Sequence, residues 1–131
     1  MLAAALPHGE PVEREASLVL PPQPAHVRRA RRFVRDEAPL AGDRLDVLVL
    51  LTSELVTNAV IHARTQVELT VAVTARSVLV MVHDLHAGPA PAPDEGREGG
   101  WGLGLVAALA AAAGTDRHPD GGKTAWFRLA R

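Results

Sequence analysis

Glu54, Asn58 and His62 stand four residues apart in an otherwise apolar stretch, Ser53-Glu54-Leu55-Val56-Thr57-Asn58-Ala59-Val60-Ile61-His62-Ala63. On a helix each step of four turns only about 40° around the axis, so the three polar groups form one slanting stripe. Leu45, Leu48, Val49, Val56, Ala59, Val60 and Ala63 gather on the opposite side as a core face. Val47, Leu50, Leu51 and Ile61 flank the stripe itself. A helix apolar nearly all round is expected to be buried. A buried carboxylate beside a buried amide then needs polar partners, because leaving one unpaired is costly. A magnesium-bound nucleotide would supply them. The Asn58 amide oxygen is a hard ligand suited to magnesium, which keeps several waters and shares its shell with phosphates. Glu54, one turn away, could hold a metal-bound water or take a proton from an attacking hydroxyl. The plainer alternative is a hydrogen-bonded network with no ligand. His62, near the helix C-terminus, reads as a favourable charge at the dipole and stays outside the site.

Further along, Gly99, Gly100, Gly102 and Gly104 would let backbone approach a phosphate, and a helix after them would aim free N–H groups at it. Plain hinges have the same composition. Gly122-Lys123-Thr124 looks like the end of a P-loop, but the spacing ahead of it is wrong and it leads into a strand. It is not a Walker A motif. Thr124 is a candidate nucleotide contact, and Lys123 reads as simply exposed.

These residues need elements to hold them. Residues 1–13 read as a flexible N-terminus and residues 14–131 as one domain. Ala16 to Leu20 reads as a short strand stopped by Pro21-Pro22, and Pro24 to Arg35 as a helix with Val27, Ala30, Phe33 and Val34 on one face. Asp43 can start the long helix that runs to about Ala63. Val67 to Thr74 and Val78 to Asp84 are strands joined through Ala75-Arg76-Ser77. Leu85 to Gly100 has no periodicity and is long for a plain connection, as functional loops tend to be. Leu103 to Ala113 reads as an Ala-rich helix ended by Gly114, and Lys123 to Leu129 as a last strand. The economical architecture is a two-layer α/β (α+β) sandwich, a mainly antiparallel mixed sheet covered on one face by helices.

Composition narrows the function classes. Apolar residues make up 47% of the 131 and aromatic ones 3%, so the core must be aliphatic. A formal charge of −1 gives no net pull toward nucleic acid or an anionic membrane. Arg28, Arg29, Arg31, Arg32 and Arg35 interleave with an apolar face and read as a solvated helix surface or a protein-partner surface. The absence of cysteine removes disulfides and thiolate metal sites and suits a cytoplasmic protein. The apolar Met1 to Leu6 is too short for a signal sequence, and no run reaches the length of a membrane span.

Taken in order, these segments resemble a known family. Glu54-Leu55-Val56-Thr57-Asn58-Ala59-Val60-Ile61-His62 resembles the N box of the gyrase/histidine-kinase/MutL (GHKL) ATPase superfamily, in its branch of bacterial anti-sigma-factor serine/threonine kinases. Asp84 followed by Gly88-Pro89 resembles the adenine-binding G1 box, with His86 standing where the usual pattern has its first glycine. Gly99-Gly100-Trp101-Gly102-Leu103-Gly104-Leu105 resembles the G2 box that closes the ATP lid, and Gly122-Lys123-Thr124-Ala125-Trp126-Phe127 the final strand. The four come in the family's order across roughly Glu15 to Leu129.

The resemblance implies a Bergerat ATP-binding fold with ATP and Mg2+ as cofactors. It implies Glu54 as catalytic base, Asn58 as magnesium ligand and Asp84 as adenine anchor. Gly88, Gly100, Gly102, Leu103, Gly104 and Thr124 would complete the nucleotide site. It also implies a sigma factor and an anti-anti-sigma antagonist as partners, with the antagonist phosphorylated on serine or threonine. A homodimer is compatible with it. The alternative is a non-catalytic, nucleotide-gated protein-binding module. A detached histidine-kinase catalytic domain fits less well, since no helix with a phosphoacceptor histidine is in sight, and a DNA-binding regulator fits least.

Overall fold

The computed structural model of the chain describes residues 10–63, 65–84, 104–106, 108–119 and 122–131, the side chains of residues 62 and 63 excepted. Strand β1 (Val12–Leu20) leads through a 3-10 turn (Pro24–His26) into helix α1 (Val27–Glu37) and then helix α2 (Gly42–Ala63). Strands β2 (Val67–Thr74), β3 (Ser77–Asp84), β4 (Ala112–Arg117) and β5 (Lys123–Ala130) complete the sheet. Residues 104–106 and 108–109 are helical.

The helices begin and end where local chemistry dictates. Pro24 opens the 3-10 turn with its pre-set φ. On α1, Val27, Ala30 and Val34 are buried, while the five arginines are all exposed. That helix stops at Ala38, which is pushed to extended φ/ψ by the following Pro39. Gly42 enters α2 with φ +60°, a left-handed value that a side chain would resist, and Asp43 places its charge in the first turn. Arg31 Nε donates to Ser53 Oγ at 2.7 Å, so α1 is tied to the middle of α2.

Among the described residues all four strand pairings are antiparallel, and the strand order is β1-β2-β3-β5-β4. Side chains alternate across each strand. Val67, Leu69, Val71 and Val73 of β2, Val78, Val80 and Val82 of β3, and Phe127 and Leu129 of β5 share one core with Leu48, Leu51, Leu55 and Val56 of α2. Fully burying a side chain such as Phe127 contributes roughly 1.5–3 kcal/mol, and this aliphatic layer holds α2 against β3 and β5. Ala72, Leu79 and Met81 form a smaller cluster on the other face, with Val12 and Trp126 against it. This is the two-layer sandwich expected, with helices on one side.

Three expectations change. β1 begins at Val12, ahead of Ala16, and Glu10 before it accepts the Arg76 N–H at 2.9 Å in the β2–β3 turn. Helix α2 is not buried all round: Leu50 is 42% and Ile61 53% exposed, and Glu54 and Asn58 are half-buried. The third change is the largest. Ala112, Ala113 and Gly114 are not the end of a helix but the start of β4, which pairs with β5 in the register Ala113↔Phe127 and Gly114↔Trp126. An Ala-rich run favours helix on its own, but pairing with the edge of β5 satisfies the backbone groups that strand would otherwise leave open. Gly114 is needed there for space. A Cβ on it would lie 2.9 Å from ring carbons of Trp126.

Candidate functional site

Val78, Val80 and Val82 point into the helical layer, and Asp84 is the next residue of that parity. Its carboxylate therefore faces the helices, and it is only 5% exposed. On β5 the same parity runs through Leu129, Phe127 and Ala125 to Lys123 at the strand's first position. Helix α2 crosses above with Leu55, Asn58 and Ala59. Together they line a small, partly open pocket whose apolar surfaces are Leu55, Ala59, Val82 and Ala125. Its polar groups are Asn58, Asp84, Thr115 and Lys123. An apolar slot with a few converging polar groups suits a flat heterocycle that needs orienting.

The backbone N–H of Lys123 donates to Asp84 Oδ1 at 3.3 Å, which ties the end of β3 to the start of β5. Arg117 is the partner of Lys123 across the β4–β5 ladder, so carboxylate, ammonium and guanidinium follow one another along the strand ends. Burial holds the Lys123 ammonium below its usual pKa, and Arg117 adds repulsion, while Asp84 pulls the other way.

Asn58 and Asp84 come from a helix and a strand and meet on this pocket. Glu54 lies one turn before Asn58 and outside the pocket's lining, half-buried. Gly104 is helical and exposed, with open space where a Cβ would stand. Gly88, Gly100, Gly102 and Leu103, as well as His86, lie outside the described residues. Thr124 has the opposite strand parity from Lys123, so it faces away from the pocket. Its hydroxyl lies 2.9 Å from His83 Nδ1 and 2.8 Å from His118 Nε2, and the two rings meet edge to face at 5.1 Å. A hydroxyl has one hydrogen, so it donates to at most one of the two rings and accepts from at least one of them.

Two lining residues escaped the sequence reading. Thr115 sits on β4, the strand hidden by its Ala-rich approach. Lys123 was legible in principle, since it shares its strand parity with Ala125, Phe127 and Leu129. Among the described residues no group of three or more His, Asp or Glu could hold a metal ion by itself. Asn58, whose amide oxygen is the kind of ligand magnesium accepts alongside water and phosphate, lines the pocket. No helix among the described residues is long and apolar enough to cross a membrane.

An antiparallel sheet carrying a carboxylate at a strand end, beneath a helix that brings Asn58 to the same pocket, makes this a two-layer α/β sandwich with a polar-lined pocket at its strand ends. A family model for the histidine kinase-like ATPase domain matches residues 20–129, and the chain belongs to that family. Its membership places it in the GHKL-type ATPase superfamily and implies ATP as its ligand. A search of curated proteins finds no match.

Proposed function

We propose that the protein is a cytoplasmic regulator that binds Mg-ATP and transfers its γ-phosphoryl group to a serine or threonine of an antagonist protein, thereby controlling a sigma factor. The observation that carries the nucleotide half is the meeting of Asn58 and Asp84 on one pocket. In this reading Asp84 accepts from the adenine amine, the apolar walls of Leu55, Ala59, Val82 and Ala125 sandwich the base, and Asn58 holds magnesium at the phosphates. By the G2-box resemblance, Gly100, Gly102 and Gly104 would serve the phosphates. Magnesium would supply charge neutralisation between the phosphate oxygens. Phosphoryl transfer rests mainly on positioning and electrostatics, but a serine hydroxyl still needs an acceptor for its proton. Glu54 takes that proton as the serine oxygen bonds to phosphorus and ADP leaves.

One observation favours a second reading. His86 stands where the G1 pattern has its first glycine, a divergence that a nucleotide-gated binding module without kinase chemistry would tolerate. Radiolabelled ATP offered with each copurified partner separates the two. Kinase activity requires label on a small partner protein and a large loss of transfer in Glu54→Gln, with ATP binding kept. Assembly or release governed by nucleotide, with no partner labelled, supports the module.

A further inference from the structure

Lys123 has no role in the site as read above, yet its place in the pocket gives it one. It begins β5 on the face shared with Ala125 and Phe127, and it lines the same pocket as Asp84. Its own N–H holds Asp84 Oδ1 at 3.3 Å, so the two side chains leave adjacent strand ends toward the same space. One is an acceptor only, the other a donor only. A ligand edge that satisfies both must present a donor beside an acceptor. The adenine edge does so with its exocyclic amine and ring N1; guanine presents O6 and N1–H at the same two places, reversed.

We propose that Lys123 is a base-reading residue, donating from Nζ to ring N1 of adenine while Asp84 accepts from the exocyclic amine. The inference rests on the nucleotide reading above and deepens it. Guanine in the same pose would set O6 against the Asp84 carboxylate and N1–H against the Lys123 ammonium, which makes two mismatches where Asp84 alone makes one. The half-buried ammonium also gains an acceptor on binding. Burial holds its pKa down in the free protein, and a partner for its protons relieves that cost.

The test is a cycle of two proteins and two ligands, read by calorimetry: wild type and Lys123→Met, each with ATP and with 1-deaza-ATP, which has C–H in place of N1. Wild type should bind 1-deaza-ATP about tenfold more weakly than ATP, the loss of one hydrogen bond from a charged donor. Lys123→Met should lose about the same on ATP and nothing more on 1-deaza-ATP. It should also narrow the preference for ATP over GTP. Equal binding of the two ligands by wild type overturns the proposal without any variant, so a misfolded Lys123→Met cannot hide its failure. Equal losses by the variant on both ligands overturn it too, since Lys123 would then act on the phosphates or on the fold. No saturable ATP binding by wild type would sink the nucleotide reading itself, a result distinct from the other two.

Discussion

The Lys123 backbone N–H and the Asp84 carboxylate oxygen are 3.3 Å apart, and this contact joins two strands that leave the sheet beside the pocket. It fixes one oxygen of a nearly buried carboxylate while the group remains at the pocket surface. An acid held in this way is oriented before any ligand arrives, so little freedom remains to be lost on binding.

Asp84→Asn should therefore act on affinity and leave the fold intact. The amide keeps an oxygen for the Lys123 N–H but removes the charge and introduces donors. A loss of about 1.5–3 kcal/mol in ATP binding is expected, as for a hydrogen bond to a charged group. Calorimetry measures it, and a melting temperature close to wild type confirms that the effect is local. Unchanged ATP affinity would remove Asp84 as the anchor.

Magnesium dependence tests Asn58. ATP should bind at a single site with heat that shrinks on addition of EDTA, and Asn58→Ala should behave like wild type with chelator. Should ATP bind wild type equally well with and without the metal, Asn58 loses its assigned part.

The direction of the Lys123 shift sets a pH dependence. Its folded pKa lies below the ordinary value of 10.5, mainly through burial. The unfolded chain thus holds more protons in the window just below that value, and stability rises with pH across it as the buried ammonium is neutralised. Nucleotide binding has the opposite sign. If the base accepts from the ammonium, affinity is full below the lowered pKa and falls as pH rises through it. Titrations in alkaline buffers of different ionisation heat should show proton uptake on binding, and Lys123→Met should abolish it. Uptake that persists in the variant would assign the proton to another group.

Thr124 divides the structural reading from the motif reading. Its hydroxyl is engaged by His83 and His118 on the face of the sheet away from the pocket. Thr124→Val strands two ring nitrogens and should cost stability by about 1–3 kcal/mol, while ATP affinity stays within about twofold by calorimetry. A large loss of affinity with an unchanged melting temperature would instead make Thr124 a ligand contact.

Gly114→Ala tests β4. The new methyl would lie 2.9 Å from the Trp126 indole, so the ring or the strand must shift. Overpacking of this kind costs roughly 1–3 kcal/mol, and thermal unfolding should show it. A neutral result would mean that the ring swings away without penalty.

Much of this was legible along the chain. The alternation Val78, Val80, Val82, Asp84 puts a carboxylate on the helix-facing side of a strand whatever surrounds it, and the four-residue spacing puts Glu54 and Asn58 on one helical stripe. Those are consequences of backbone periods, which a sequence carries in full. The extent of burial was not so written. Leu50 and Ile61 are as apolar as Leu51 and Val60, yet they are exposed, because α2 covers the sheet with one side only. The strand at Ala112–Arg117 depended on pairing with β5, Gly114 against Trp126 being one pair, which outweighs a local preference for helix. The pocket itself is tertiary. Asn58, Asp84, Thr115 and Lys123 come from four different elements, and only the packing of α2 across the ends of β3, β5 and β4 makes them neighbours.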